Sequence, residues 1–174
     1  MLKSLLFLAL PLSILSCPYD TCAPVDYGSC GNACCKLSVV VPGSTESVMN
    51  LLNATLNDLG PDGQYIPQMT AEGTLNFGDL RPYDKAIDFI GQAMHTTTNG
   101  MYTDTVNFNL SPTDDGNTEI LAFSISQIAG AYGDDGQNYH NIVSLLTSVD
   151  YGEGKVGEGD FVRLDGSCPE PTEA

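Results

Sequence analysis

The segment from residue 118 to residue 149 limits the possible folds of this chain more than any other. Residues 118–126 alternate apolar side chains with small or polar ones, which is typical of a strand with one packed face. Residues 139–149 repeat apolar side chains at helical spacing. A glycine-rich turn joins the two, and either Asp134 or Asp135 is placed to act as the helix N-cap. The sequence therefore predicts one packed unit of strand, turn and helix.

Residues upstream of this unit predict a strand followed by a helix. The β-branched run 36–41 has the composition of a strand and stops at a Pro-Gly pair. Ser44 is the expected N-cap of a helix whose apolar side repeats until Gly60. A short strand is expected at residues 73–77.

The next segment predicts a second helix and then a long hairpin. Pro82 suits the first position of a helix. The apolar side of this helix would contain Tyr83, Ala86, Ile87, Ile90 and Met94. Residues 101–110 alternate as a strand does, although Asp104 interrupts the apolar face, and a turn at 112–117 leads into the next strand. A closing strand is expected at 160–164.

These elements indicate an α+β fold in which helices pack on one face of a mainly antiparallel sheet. We assign residues 1–16 to a signal peptide, 17–35 to a disulfide-rich cap, 36–168 to a single α+β domain and 169–174 to a tail.

The first residues predict export. A short basic start is followed by an apolar run that is too short to span a membrane, with a small residue just before Cys17. A secreted protein is therefore expected, and the alternative is a lipid anchor on Cys17. Asn53 begins a glycosylation sequon that a secretory route could modify.

The cysteines predict disulfides that join the two ends of the chain. An even number of cysteines in an exported chain indicates disulfide bonds. The six cysteines are Cys17, Cys22, Cys30, Cys34, Cys35 and Cys168. Five of them are clustered, so complete pairing requires Cys168 to reach the N-terminal group. A zinc site is disfavoured because the chain has no C-x-x-C pair and no histidine near the cluster.

The formal charge of −16 argues against nucleic acid and anionic lipid as partners. It favours cations or a basic protein partner. After the signal peptide no segment has the apolar length of a membrane helix, so no membrane span is expected.

Three short motifs resemble the DUF1499 family of uncharacterised proteins. They are Asp104-Thr105-Val106 in a strand, the run 121–126 (L-A-F-S-I-S), and Asp134-x-Gly136-x-Asn138 at the start of a helix. The resemblance implies the family's fold over residues 102–149 and a polar cluster of Asp104, Ser124, Ser126, Asp134 and Asn138. It implies no reaction.

The same chain departs from the family pattern at three positions. The family commonly has arginines where this chain has Ile125, Gln127 and Tyr139. An anion-binding role of those arginines therefore does not carry over to this chain.

Catalysis, if present, would centre on His140. This histidine follows Asp134 and Asn138 closely, so a carboxylate could orient it as a general base beside Asp104, Ser124 and Ser126. The competing interpretation is a surface histidine near an acidic turn. The only other histidine, His95, is expected to end the second helix, where a cation suits the helix dipole.

Calcium is the metal that acidic turns would suit. The candidate ligands are Asp114, Asp115, Asp134 and Asp135. Such turns also favour aspartate without any metal, so the competing interpretation is an acidic turn that binds no ion.

Together these features predict a secreted, acidic, disulfide-stabilised module that binds or has a structural role, without a cofactor. Its partner would be a small apolar ligand held between sheet and helices, or a basic protein. The alternatives are a small hydrolase-like enzyme centred on His140 and Asp134, and a calcium-associated extracellular protein.

Overall fold

The computed structural model describes residues 33–128, 131, 134, 136–152, 154–164 and 168. The predicted signal peptide, the predicted tail and most of the predicted cap lie outside the described residues. So do Cys17, Cys22, Cys30 and Asp135.

A mainly antiparallel sheet and two helices form the described domain, which confirms the predicted α+β class. The strands are β1 (Cys34–Val41), β2 (Tyr65–Pro67), β3 (Phe77–Asp79), β4 (Phe89–Thr96), β5 (Thr103–Pro112), β6 (Thr118–Ser126) and β7 (Val162–Arg163). The helices are α1 (Thr45–Asn57) and α2 (Gln137–Ser148), with 3-10 turns at Arg81–Tyr83 and Glu158–Asp160. The strand order is β2-β4-β5-β6-β1-β7, β3 also pairs with β4, and every pairing is antiparallel.

The sheet buries one face, here called the inner face, and leaves the other, the outer face, partly exposed. In β5 and β6 the even-numbered residues from Asp104 to Leu110 and from Thr118 to Ser126 are buried, while the odd-numbered residues are not. The register aligns Phe108 with Ala122 and Leu110 with Ile120. Period-two alternation therefore places these side chains in a single core layer.

Helix α1 follows the prediction closely. Ser44 is its N-cap and accepts a hydrogen bond from Ser47 N. Val48, Leu52 and Leu56 are buried within the same core as the inner-face residues. Leu59 lies within the apolar repeat that was predicted to continue until Gly60. It is exposed because the helix has ended and the residue adopts φ 64°.

Helix α2 also forms where the sequence predicts it, but its N-cap differs. The cap is Gly136 in a left-handed conformation, φ 82°, rather than an aspartate. Buried residues on its packed side include Ile142, Val143, Leu145 and Leu146. The predicted unit of strand, turn and helix is confirmed, since α2 packs against β6, β1 and β5.

The predicted second helix after Pro82 is wrong. Only a 3-10 turn forms there, and Asp84 in a left-handed conformation, φ 52°, follows it. Residues from Phe89 onward form β4 instead, with Phe89, Ala93 and His95 buried and Ile90 exposed. The apolar spacing that resembled a helix arises because β4 carries apolar side chains on both faces.

Two smaller elements also differ from the sequence-based expectation. The short strand expected at 73–77 lies at Phe77–Asp79, and β2 was not predicted. Both pair with β4, so pairing with a neighbour rather than local composition decides where these three-residue strands form.

A disulfide joins Cys35 in β1 to Cys168, which confirms the predicted link between the C-terminal cysteine and the N-terminal cluster. The bonded residues are 133 positions apart, so the bond closes nearly the whole described chain into one loop. No helix within the described ranges has the length and apolar character needed to cross a membrane.

Candidate functional site

The polar residues predicted to cluster do meet, at one end of the inner face. Strand register aligns Asp104 with Ser126 and Val106 with Ser124. Helix α2 lies over this end and adds Asn138 and Asn141, both about 99 % buried. We use the term polar cluster for Asp104, Ser124, Ser126, Asp134, Asn138 and Asn141.

Asn138 makes most of the contacts within the polar cluster. Ser124 Oγ donates to its Oδ1 at 2.6 Å. Its Nδ2 lies 3.0 Å from Ser126 Oγ, 2.6 Å from Asp134 Oδ2 and 3.0 Å from the backbone oxygen of Ala33. One buried amide therefore ties β6, the turn before α2 and the start of β1 together.

Asn141 connects the remaining members one helical turn further along. Its Nδ2 donates to Asp104 Oδ2 at 2.7 Å and to Ser124 Oγ at 3.2 Å. Its backbone oxygen accepts a 2.6 Å hydrogen bond from Tyr65 Oη. Burial, with a smaller effect from Asp62, raises the pKa of the Tyr65 phenol above its ordinary value, so this hydroxyl stays a donor.

Asp134 stabilises the start of α2 although it is not the N-cap. Its Oδ1 accepts from Gly136 N at 3.1 Å, and its Oδ2 accepts from Asn138 N at 2.7 Å. The carboxylate thus satisfies backbone N–H groups at a positively polarised helix end.

His140 lies on the surface of α2, as one of its two interpretations expected, whereas His95 lies at a position that the sequence did not predict. His140 is exposed and its ring contacts Tyr139, with centroids 5.7 Å apart. His95 lies in β4, not at a helix end, and is 96 % buried. Its Nε2 is 2.9 Å from Asp62 Oδ2, and its Nδ1 has no hydrogen-bond partner among the described residues.

These positions decide what the polar cluster can do. Its hydroxyl, amide and carboxylate groups bond to one another beneath α2, and the histidine expected to join them, His140, is on the surface. Buried polar groups whose bonding capacity is used internally fix a fold. The other histidine, His95, lies on the strand next to the polar cluster, as the register partner of Asp104.

Two of the four aspartates proposed for calcium, Asp115 and Asp134, make other contacts. Asp115 accepts hydrogen bonds from Thr113 and Asn117 within its turn, and the Thr113 bond in particular lowers the pKa of its carboxyl group. Asp134 is bonded to the N–H groups of α2. In the part of the chain that the structure describes, no group of three or more His, Cys, Asp or Glu side chains is placed to share a metal ion.

A groove of about 450 Å³ lies elsewhere, beside the outer side of β4 and β5. Its floor contains Ile90, Gln92, Asn107 and Asn109, and its wall is the segment 68–72. The volume falls within the range typical of small-ligand sites. We use the term arm for residues 68–76, which connect β2 to β3.

The groove floor exposes uncharged polar groups. Gln92 Nε2 donates to Asn107 Oδ1 at 2.7 Å across the β4–β5 pair, and Asn109 lies two residues further along β5 opposite Ile90. Within the described ranges, the Asn109 amide has no side-chain hydrogen bond. Acceptor and donor groups of these amides therefore face solvent.

Asn76 fixes the base of the arm. It is 99 % buried with φ 62°, and its Nδ2 donates to Asn53 Oδ1 and Asn57 Oδ1 on α1, at 2.9 and 3.1 Å. Its Oδ1 accepts from Gln68 N at 3.0 Å. These hydrogen bonds hold the base of the arm against α1.

Gly91 allows β3 to lie close against β4 under the same arm. A Cβ atom at this position would be 2.3 Å from Cε1 of Phe77, so only glycine leaves room for that ring. The Phe77 ring in turn lies 6.1 Å from that of Phe108.

The sequence predicted the placement of some of the residues that form this groove. The alternation of residues 101–110 places Asn107 and Asn109 on the polar side of a strand, but Gln92 was assigned to a helix that does not form. Asn141, three residues after Asn138, could have been found from helical spacing. The chain matches no family model, no curated protein and no solved structure.

Proposed function

We propose that this protein is an exported, disulfide-stabilised binding module whose ligand occupies the groove between the arm and the outer side of β4 and β5. The observation that carries the proposal is the set of uncharged amides on the groove floor, whose polar groups face solvent. Polar groups at the surface of a concave site can orient a ligand, whereas those of the polar cluster form hydrogen bonds with one another inside the protein.

The arrangement of helices and sheet supports a ligand site on the outer face. We take both helices to cover the inner face, which leaves the outer face and its groove open to solvent. The DUF1499 resemblance stays a prediction, and it would account for the polar cluster as a shared feature of the fold rather than of a reaction.

Export is the second part of the proposal. Disulfides persist in oxidising compartments, and the Cys35–Cys168 bond agrees with such a location. The glycosylation of Asn53 also remains a prediction, and the geometry is compatible with it. Asn76 contacts the amide oxygen of Asn53, not the nitrogen to which a sugar is attached.

Native mass spectrometry tests the binding role without presuming a ligand. Protein would be incubated with small-molecule extract from its source, and bound species compared between wild type, Asn109→Trp and Gln127→Trp. Asn109→Trp fills the groove floor. Gln127→Trp adds the same bulk at an exposed amide outside the groove.

We expect a bound species with wild type and Gln127→Trp that Asn109→Trp excludes. Equal retention by all three proteins, or no bound species at all, would contradict binding in the groove.

A further inference from the structure

We infer that the groove binds a neutral, hydroxyl-rich chain, namely an oligosaccharide without charged groups. This inference rests on the proposed function and gives the chemical class of its ligand. It is argued from charge, hydrogen-bonding capacity and the placement of apolar side chains.

The charge of the residues that line the groove argues against ionic ligands. Among the residues that line the groove, Glu72 is the only ionisable one. An anionic ligand would meet that carboxylate and a chain of formal charge −16, while no cation on the groove floor would compensate it. The net charge of the chain would attract a cationic ligand, but the groove itself offers one exposed carboxylate and otherwise uncharged amides, so it has little with which to select a cation.

Hydrogen-bonding capacity matches hydroxyl groups. After the Gln92–Asn107 contact, Gln92 Oε1 remains an acceptor and Asn107 Nδ2 a donor, and Asn109 adds one of each. Three neighbouring amides therefore offer both acceptors and donors on the groove floor. A sugar hydroxyl both donates and accepts, so adjacent hydroxyls on a ring can satisfy such a set.

An extended peptide is less suited to the same surface. Peptides commonly bind sheets by adding a strand at an edge, where backbone N–H and C=O groups are available. The groove floor is the face of the β4–β5 pair, whose backbone groups already bond to each other. Side chains alone are presented to the ligand, which favours a partner that uses hydroxyls.

Apolar side chains flank the amides on two sides. Ile90 lies on the floor opposite Asn109 and is 43 % exposed, and Met69 lies on the arm and is 65 % exposed. The C–H faces of a sugar ring are apolar, so these side chains can pack on the ring while its hydroxyls reach the amides.

The register extends the floor beyond the groove. On β6, Phe123 is the register partner of Asn107 and Leu121 that of Asn109. Both side chains are half-buried on the outer face. An aromatic ring beside the amides can pack against a second sugar ring, so we expect a chain of several sugars rather than a monosaccharide.

Binding to a panel of neutral oligosaccharides tests this inference. The panel contains α- and β-linked tetramers of glucose, mannose, galactose and xylose, with tetragalacturonate as the charged control. Titrations compare wild type with Asn107→Ala, Asn109→Ala and Gln127→Ala. Gln127 is the matched control because its Nε2 donates to Thr105 on the neighbouring strand at 2.7 Å, as Gln92 does to Asn107, but outside the groove.

At least one neutral tetramer should bind, with affinity reduced about three- to tenfold by each groove variant, as the loss of one or two neutral hydrogen bonds predicts. Gln127→Ala should bind as wild type does, and tetragalacturonate should not bind. Absence of binding across the panel, or affinity unchanged in both groove variants, overturns the inference. If native mass spectrometry still finds a ligand that Asn109→Trp excludes, the sugar class fails and the binding role stands.

Discussion

At the scale of single residues, Asn138 should contribute most of the stability of the polar cluster. Truncation to alanine removes the amide that accepts from Ser124 Oγ and that lies beside Ser126 Oγ and Asp134 Oδ2 in a buried site. Because the loss of several buried hydrogen bonds at once is costly, Asn138→Ala should lower the free energy of unfolding by about 2–4 kcal/mol. Urea unfolding followed by circular dichroism measures the change.

Asn109→Ala is the control for this prediction, because its amide is partly exposed. It should change stability by less than about 0.5 kcal/mol. Similar losses for both variants would show that the polar cluster does not support the fold in the way its contacts indicate.

Asp79 should give a small acid-dependent contribution to stability. Hydrogen bonds from Arg81, at 3.0 Å and 2.7 Å from its guanidinium nitrogens, hold the pKa of this carboxyl group below its ordinary value. The native state therefore binds this proton less readily than the unfolded chain does. The contribution is complete above the unfolded pKa of about 3.9 and is lost as the pH falls through the lowered native pKa.

Asp79→Asn removes this titration. The difference in unfolding free energy between wild type and Asp79→Asn should therefore shrink as the pH is lowered from 6 to 3. A difference that stayed constant over this range would show that the Arg81 contact does not perturb the carboxyl group.

Among single residues, Asp104 was recognisable because it interrupts an apolar face. A buried carboxylate needs a partner, and Asn141 of α2 provides one. The other predicted members of the polar cluster, Ser124, Ser126, Asp134 and Asn138, were expected from the DUF1499 resemblance. For His140 the sequence left two interpretations open, and its exposure agrees with the surface histidine. Proximity in sequence to Asp134 does not determine which side of a helix a residue faces.

At the scale of elements, the contact between β3 and β4 depends on Gly91. In Gly91→Ala the new methyl group would overlap the Phe77 ring, whose displacement should cost about 1–3 kcal/mol of stability. Thermal or urea unfolding measures the loss. Gly78→Ala is the matched control on β3, where an added Cβ would make an ordinary 3.7 Å contact with Ile90.

Equal stability of Gly91→Ala and Gly78→Ala would contradict this packing. The result also bears on the groove, because β3 continues directly from the arm that forms its wall.

Elements with a single periodicity were predictable and those with two were not. Helix α1 has a clear cap and stripe, and the β5–β6 hairpin alternates cleanly, so both formed where expected. In β4 apolar residues occur on both faces, so its spacing also fits a helical repeat. Only pairing with β5, β2 and β3 distinguishes the two, and pairing is not visible in local sequence.

At the scale of the whole molecule, the Cys35–Cys168 bond restrains the unfolded chain. A loop defined by a separation of 133 residues should contribute about 5 kcal/mol on the chain-entropy model. The double variant Cys35→Ala/Cys168→Ala should therefore unfold at a clearly lower temperature than wild type in calorimetry. An unchanged midpoint, with the wild-type bond verified by mass, would contradict the restraint.

Global features of the chain were predictable in part. The α+β class and the link from Cys168 to the N-terminal cysteines followed from element order and cysteine arithmetic. The groove did not, since it is formed by an arm whose position depends on Asn76 contacting a distant helix. A contact between residues about twenty positions apart leaves no periodic signal in the sequence.

Two-dimensional NMR of the side-chain amides tests ligand binding in the groove most directly. Nitrogen-15-labelled protein would be titrated with the tightest-binding neutral tetramer, while the signals of Asn and Gln side chains are followed. The signals of Gln92, Asn107 and Asn109 should shift with increasing ligand, and those of buried Asn138 and Asn141 should stay in place. Shifts confined to Asn138 and Asn141, or no shift in the groove amides, would contradict the account.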